Sequence, residues 1–270
     1  MKISIVTISF NQARFLEACI QSVLNQNYGD IEYIIVDPGS SDGSREIIKR
    51  HSDSFSHILF EKDEGPADGL NKGFSYATGD IFCYINSDDI FLPGAFQTVA
   101  NYFSRLSKKV DVIYGNGLYI NATNEVVEKM FSSYFSLRRL ALGACSVIQQ
   151  ATFFKQESFH KTNGFSVDNR TCWDRELLVD LAIAGARFKH VPESLGCFRI
   201  YNESSSGSGI SNPKYYQYLI DSRRISDRIL GRPPAMYDPL MKGIYHLDKY
   251  LRHPMTTSYK LGKLFGINLG

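Results

Sequence analysis

The first 116 residues alternate between unbroken apolar, β-branched runs and stretches with helical spacing, and that alternation limits what the chain can fold into. "ISIVTIS" (3–9), "EYIIVD" (32–37), "HILFEK" (57–62), "DIFCYIN" (80–86) and "VDVIYGN" (110–116) read as strands. Apolar runs without a polar face suit strands covered on both sides. Between the first two, Phe15, Leu16, Cys19, Ile20, Val23 and Leu24 recur at helical spacing. "SDGSREIIKRHS" gives turn residues and then a short helix, and Pro66 opens a third helical stretch at a position that favours a first turn. "PGAFQTVANYFSRL" (93–106) is a fourth. One helix between successive strands means βαβ units, hence an α/β fold with a mostly parallel central sheet flanked by helices.

In such sheets ligands sit beyond the carboxyl ends of the strands. Those ends read Thr7-Ile8-Ser9-Phe10-Asn11, Asp37-Pro38-Gly39-Ser40-Ser41-Asp42, Glu61-Lys62-Asp63-Glu64-Gly65 and Asn86-Ser87-Asp88-Asp89. All are polar and several are acidic. No GxGxxG follows the first strand, and no GxxxxGK[ST] occurs anywhere. A glycine-rich phosphate cradle is therefore excluded, and a site rich in Asp points to phosphate held through a divalent cation.

Asp88 and Asp89 stand at the mouth of an apolar strand. Two like charges about 4 Å apart cost roughly 4 kcal/mol at an effective dielectric of 20. Protonation, a basic partner or a metal would relieve them; an acidic turn pointing into water, or an Asp capping the helix after Pro93, would avoid the problem. The strand-end location favours the metal, and oxygen ligands favour Mg²⁺ or Mn²⁺.

The second half is less regular. Residues 136–165 mix helical and strand signals, "CWDRELLVDLAIAGARF" (172–188) is a helix ending at Gly185, and "FKHVPESLGCFRI" (188–200) reads as strand, turn, strand. "NESSSGSGIS" (202–211) is a Ser/Gly-rich segment, read equally as a lid or a linker. The expected division is a domain over 1–205, with a nucleotide-binding half (about 1–116) and an acceptor-side half (about 117–205), and a C-terminal helical appendage over 206–270.

The 270 residues carry a net charge of +2, too balanced for a nucleic-acid surface. No apolar run approaches the roughly 20 residues of a membrane span, and "MKISIVTISFNQ" reads as a first strand rather than a signal peptide. Five cysteines without a CxxC pair suggest buried free thiols and a reducing, cytoplasmic setting.

Several stretches together resemble the family 2 glycosyltransferases, enzymes of the GT-A fold, and in particular bacterial enzymes that build surface polysaccharides. They are "VTISFNQARFLEACIQSVLNQNY", "EYIIVDPGSSDGSREII", "EKDEGPADGLNKGFSYATGDIFCYINSDDIFLPGA", "QQATFFKQ" and "CWDRELLVDLAIAGARFKHVPE", in the family's order over about residues 1–200. The resemblance implies an inverting transfer from a nucleotide-diphosphate sugar, UDP-linked, to a saccharide or lipid-linked saccharide hydroxyl, with Mg²⁺ or Mn²⁺.

It also implies roles for single residues. Thr7, Ser9 and Asn11 match the first-strand motif along the base and ribose. Asp37 matches the aspartate that binds the base edge, and Ser40, Ser41, Asp42 and Gly43 the loop that follows. Asp68, Asn71 and Lys72 match the helix start that faces the nucleotide. Asn86-Ser87-Asp88 stands at the DxD-like motif, with Asp88 as metal ligand, Asn86 on the ribose or sugar, and Asp89 as a further metal ligand supporting the site. Asp174 matches the catalytic base, with Glu176 as runner-up; read as residues alone, Asp174 is also an acid suited to a helix first turn. Trp173 is either a sugar-stacking face or core. Gln149 and Gln150 match a donor-side segment, where Gln150 departs from the usual Pro. Tyr201 stands near where relatives carry a His that can join the metal or diphosphate.

A sugar nucleotidyltransferase would begin with a Gly-rich basic loop, which "TISFNQARF" lacks; a non-catalytic nucleotide-sugar or saccharide-binding module is the second reading. From about residue 240, Lys242, Lys249, Arg252, Lys260 and Lys263 interleave with Tyr, Leu, Phe and Ile. Such a tail suits either an anionic membrane surface, placing the chain peripherally at the inner face, or a helix packed on the domain.

Overall fold

A computed structural model describes residues 1–201, 214–232, 235–252, 257 and 259. The Ser/Gly segment, the boundary at 205/206, and Lys260 and Lys263 lie outside the described residues.

In chain order the elements are β1 (Ile3–Ile8), α1 (Ala13–Leu24), β2 (Ile31–Val36), α2 (Ser44–Arg50), β3 (His57–Leu59), α3 (Pro66–Ser75), β4 (Ile81–Asn86), β5 (Ile90–Phe91) and α4 (Ala95–Leu106). There follow β6 (Val112–Ile120), β7 (Val126–Met130), α5 (Leu137–Ala141), β8 (Thr152–Lys155), α6 (Gln156–Phe159), α7 (Trp173–Ile183), β9 (Phe188–Arg199), α8 (Tyr215–Leu230) and α9 (Asp238–Arg252). The sheet runs β3-β2-β1-β4-β8-β6-β9-β5, with β7 paired to β6. This is a mixed α/β arrangement with helices on both faces of the sheet.

The parallel expectation holds from β3 to β4. Beyond β4 the sheet is mixed, because β8 enters antiparallel between β4 and β6. β8 lies within the 136–165 stretch whose periodicity is ambiguous. "FKHVPESLGCFRI" forms the single strand β9 instead of two. Its parallel ladder with β6 jumps from His190 to Ser194, so Pro192, which has no N–H to donate, sits where the pairing is broken.

Strand alternation divides the core. Ile3, Ile5, Ile81, Cys83 and Ile85 meet Leu16, Cys19 and Ile20 of α1 and Phe96 and Val99 of α4. Val6, Ile34, Phe82 and Tyr84 meet Leu70 and Phe74 of α3 and Leu177 and Leu181 of α7 on the other face. Fully burying each such side chain contributes roughly 1.5–3 kcal/mol. Gly73 lets α3 press onto the sheet, since a Cβ there would overlap the Val6 side chain. A third cluster, with Leu140 of α5, Val179 of α7 and Ile225 of α8, docks α8.

Register sets the position of the site. Ile8 of β1 lies opposite both Val36 of β2 and Asn86 of β4, so the three strands end level. The next residues on the tips are Ser9, Asp37 and Ser87.

Candidate functional site

Four buried side-chain oxygen or nitrogen atoms among the described residues have no hydrogen-bond partner, and three of them stand on these tips: Ser9 Oγ, Asp37 Oδ2 and Asn86 Oδ1. Leaving such an atom unpaired costs about 1–3 kcal/mol. Three together at one sheet edge leave polar atoms open to water or to a polar ligand. Asp37 is held rigidly. Its Oδ1 accepts from Gly39 N–H (3.1 Å), Ser40 N–H (2.8 Å) and Arg45 Nε (3.0 Å). Arg45 also donates to the carbonyls of Asp37 and Phe60 and lies over the Phe60 ring at 4.6 Å. Sequence reasoning missed Arg45, although an Arg in the first turn of the helix after an Asp-bearing loop was visible. Phe10, 59% exposed, projects from the same tip as Ser9.

The Asp88–Asp89 pair differs from the expectation that both bind metal. Asp89 is 1% exposed, and both its oxygens are taken: Oδ1 accepts from Arg199 N–H (2.8 Å) and Oδ2 from Gln150 Nε2 (2.7 Å). Asp89 is thus an internal anchor, and a metal role narrows to Asp88. The basic partner is Arg199, wholly buried, which no expectation named. Its Nε donates to the Asp88 carbonyl (2.6 Å), Nη1 to the Asn121 carbonyl (2.7 Å) and Nη2 to Asn124 Oδ1 (2.6 Å), and its guanidinium lies 4.6 Å over the Phe15 ring. β5 pairs antiparallel with β9, Ile90 opposite Cys197, which brings Asp88 and Asp89 beside Phe198 and Arg199. Burial, then the Asp88 charge, pushes the Asp89 carboxyl well above its ordinary range, and the Arg199 charge opposes this. Burial likewise raises Asp88. Tyr201 donates its hydroxyl to Asp88 Oδ2 (2.9 Å) and accepts from Gln12 Nε2 (3.1 Å). Burial and the Asp88 charge push the Tyr201 phenol up to about 12, so it remains a donor at neutral pH.

Other expected nucleotide contacts are engaged in the scaffold. Thr7 is wholly buried, with Oγ1 3.0 Å from the Tyr33 hydroxyl, because strand alternation turns it toward the α1 side of the core. Asn11 takes a positive φ of 52°; its N–H donates to Ser40 Oγ (2.8 Å) and its Oδ1 accepts from Ser41 N–H (2.9 Å), tying the first two strand-end loops together. Asp42 caps the start of α1, accepting from Ala13 N–H (2.8 Å), and binds the Ser44 hydroxyl (2.6 Å). Burial would raise its carboxyl, but these bonds outweigh it and hold the group below its usual range. Asp68 accepts from Glu64 N–H (3.0 Å) and pairs with Lys72 (2.9 Å), while Lys72 also donates to the Lys62 carbonyl. Asn71 clamps both backbone groups of Phe165 (2.8 Å each). Ser87 is buried at the β4 tip, its N–H donating to the Ile8 carbonyl (3.1 Å).

Asp174 sits half-buried in the first turn of α7. Burial raises its carboxyl above the ordinary range, opposed by the Arg175 backbone N–H and the Arg175 charge. Its charge is felt at Tyr84 of β4, whose ring packs 5.6 Å from that of Trp173. Tyr84 precedes Asn86 by two, so Asp174 lies on the sheet face that carries Asn86. Gln149 donates to the Tyr84 carbonyl (2.8 Å). Trp173 also packs against Phe165 (5.8 Å), giving it a core role with part of its surface left open. The runner-up Glu176 faces elsewhere. It is buried, accepting from Asn169 (2.8 Å) and Arg224 (2.9 Å), and ties α7 to α8. Glu176→Gln is therefore expected to lower stability by about 1.5–3 kcal/mol in a denaturant titration while leaving the chemical step intact.

Level strand tips on the parallel half, beside a mixed-sheet half against which α7 packs, make a fold of the GT-A type. The model of the family described as "Glycosyl transferase family 2" matches residues 4–162, more than half of the chain, and the chain belongs to that family. An uncharacterized glycosyltransferase of Nostoc sp. is 27% identical over 220 residues, covering 78% of this chain and 68% of the relative. Staphylococcus aureus TarS 1–349, solved in complex with UDP-GlcNAc, superposes with a TM-score of 0.66 at 15% identity, covering 100% of this chain and 77% of that one. A mannosyltransferase from Pyrobaculum calidifontis, in complex with GDP-Man and Mn²⁺, gives a TM-score of 0.62 at 19% identity, covering 93% and 69%. Against the longer TarS structure the chain spans 45% of that chain. The two structures share the fold.

Proposed function

We propose that this glycosyltransferase moves a sugar, with inversion, from a UDP-sugar to a hydroxyl of a saccharide or lipid-linked saccharide acceptor, in cell-surface polysaccharide synthesis at the cytoplasmic side of a membrane. The observation that carries the donor site is the row of unpaired oxygens on Ser9, Asp37 and Asn86. With Oδ1 of Asp37 occupied, Oδ2 is left as an acceptor for an N–H on the base edge, such as uracil N3–H. Ser9 and Asn86 have hydrogen-bonding capacity for ribose or sugar hydroxyls. The five free cysteines, four of them buried, accord with a reducing compartment.

The residues fit a divalent cation held mainly by the donor. Asp88 offers Oδ1 while Tyr201 fixes Oδ2, and Asn86 Oδ1 stands unpaired two residues earlier. Among the described residues no group of three His, Cys, Asp or Glu side chains is placed to hold an ion. Mg²⁺ or Mn²⁺ on one carboxylate, with phosphate oxygens and water, matches that donor set. The Mn²⁺ in the Pyrobaculum enzyme supports the same reading. When bound, the ion would stabilise the charge that develops on the leaving diphosphate.

Asp174 takes the proton of the attacking acceptor hydroxyl. Its raised pKa suits a base working nearer neutrality than an ordinary aspartate. One base and one displacement, with the nucleophile entering opposite the leaving diphosphate, invert the anomeric carbon.

A thermal-shift screen of nucleotide sugars with and without Mn²⁺ tests the donor site, since a ligand bound only to the folded state raises its melting temperature. A UDP-sugar is expected to give the largest metal-dependent shift, and Asp88→Ala to abolish it, weakening donor binding roughly 100-fold. An undiminished shift in that variant would remove Asp88 from the site. A binding module would show the shift without slow, metal-dependent donor hydrolysis, whereas a transferase shows both.

A further inference from the structure

Two residues at the end of β9 converge on Asp88. The pairing of β9 with β6 carries past Arg199, since Ile200 N–H still donates to the Ile120 carbonyl (2.8 Å). Strand alternation therefore puts Arg199 and Tyr201 on one face and Ile200, 39% exposed, on the other. Both rest on Phe15 in the first turn of α1. The guanidinium lies 4.6 Å over that ring, and the Tyr201 ring is tilted against it at 4.7 Å. Arg199 holds the main chain of Asp88 through its carbonyl (2.6 Å), and Tyr201 holds the side chain through Oδ2 (2.9 Å).

The Tyr201 hydroxyl is braced in turn. Gln12, just before α1, donates Nε2 to it (3.1 Å), and the Gln12 N–H donates to Ser44 Oγ (3.1 Å). Ser44 donates its hydroxyl to Asp42 (2.6 Å), and Asp42 accepts from Ala13 N–H (2.8 Å). The neighbouring Asn11 carries the bonds to Ser40 and Ser41. A run of hydrogen bonds thus leads from the loops after β1 and β2 to the carboxylate of Asp88.

We infer that Tyr201, braced by Gln12, is a positioning residue for the cation. It fixes the rotation of the Asp88 carboxylate so that Oδ1 is left for the ion, and it does not ligate the ion itself. This role rests on the donor-held cation proposed above. A carboxylate free to turn must be ordered when an ion binds, and one already fixed avoids that cost. Losing the hydrogen-bond partner of a ligating group typically lowers metal affinity about 10–100-fold. Hard divalent cations take carboxylate, carbonyl, phosphate and water oxygens, so a protonated phenol beside a carboxylate is suited to donating to it.

The test is calorimetric titration of UDP into the full chain with and without saturating Mn²⁺. In the parent, Mn²⁺ is expected to raise UDP affinity. Tyr201→Phe keeps the ring on Phe15 and loses only the hydroxyl. It should cut the Mn²⁺-dependent gain about tenfold, leave the metal-free affinity within about twofold, and keep the melting temperature within about 4 °C. Gln12→Met should cut the gain about threefold. Adding it to Tyr201→Phe should cost nothing more, because Gln12 acts through the hydroxyl. An unchanged gain in Tyr201→Phe would overturn the proposal. So would an equal loss with and without the metal, which would make Tyr201 a nucleotide contact or a residue of the scaffold alone. An additive loss in the double variant would overturn the role of Gln12. A parent whose UDP affinity does not respond to Mn²⁺ would instead overturn the donor-held cation itself, so the two failures are told apart.

Discussion

Asp174→Asn is expected to leave donor binding within a few-fold of the parent and to cut the transfer rate by about 10²–10⁴, the usual contribution of a positioned general base. The substitution keeps size and polarity but removes the group that accepts the proton. It also replaces a carboxyl whose ionisation burial disfavours, so the variant should fold at least as stably as the parent. The pH profile gives a second check. The base is active only when ionised, so kcat/KM in the parent should fall as pH drops through the Asp174 pKa. That limb should lie above the roughly 3.9 of an unperturbed aspartate. In Asp174→Asn the residual rate should lose this limb. Normal turnover in the variant would remove the mechanism, and loss of the donor thermal shift would mean that Asp174 holds the nucleotide.

Arg199→Met should produce the largest loss of stability of any single change considered, about 3–5 kcal/mol, because one partner of a buried charge cluster disappears. The three guanidinium bonds reach the Asp88 carbonyl and the β6–β7 hairpin, and the charge opposes two carboxylates at the end of β4. Methionine fills much of the volume but donates to none of the acceptors. Adding Asp89→Asn to Arg199→Met should recover part of the loss, since it removes a carboxylate that has lost its counter-charge. Denaturant midpoints of the two single variants, the double variant and the parent close the cycle. Additive losses without recovery would mean that Arg199 acts by packing over Phe15 rather than through the Asp pair.

The paired carboxylates show where sequence reading succeeds and where it stops. That Asp88 and Asp89 end a buried strand was legible from the apolar run before them, and so was the need for something to offset their charge. The offsetting group was not. Arg199 lies 110 positions from Asp89 and reaches it only through the β5–β9 pairing, which involves two residues of β5. The one signal was a charged residue inside the apolar run "GCFRIY". Asn71, Asp68 and Asp42, expected at the nucleotide, carry side-chain bonds to the scaffold that no local pattern announces. Polar side chains near a helix start serve caps and loop ties as readily as a ligand, and only coordinates tell the two apart.

What the sequence by itself determined is local and periodic. Unbroken β-branched runs separated by helical spacing specify a parallel α/β half with polar strand tips, because hydrophobic periodicity is written in neighbouring residues. The tertiary structure alone decided which of those polar tips remain unpaired, that β8 enters antiparallel, and that Tyr201 reaches the Asp88 carboxylate. Each of these depends on a partner far along the chain or across a loop, such as Arg45 for Asp37, Lys155 and Phe154 for the start of β4, and Gln12 for Tyr201. Such pairings satisfy buried groups one by one and leave no period in the sequence.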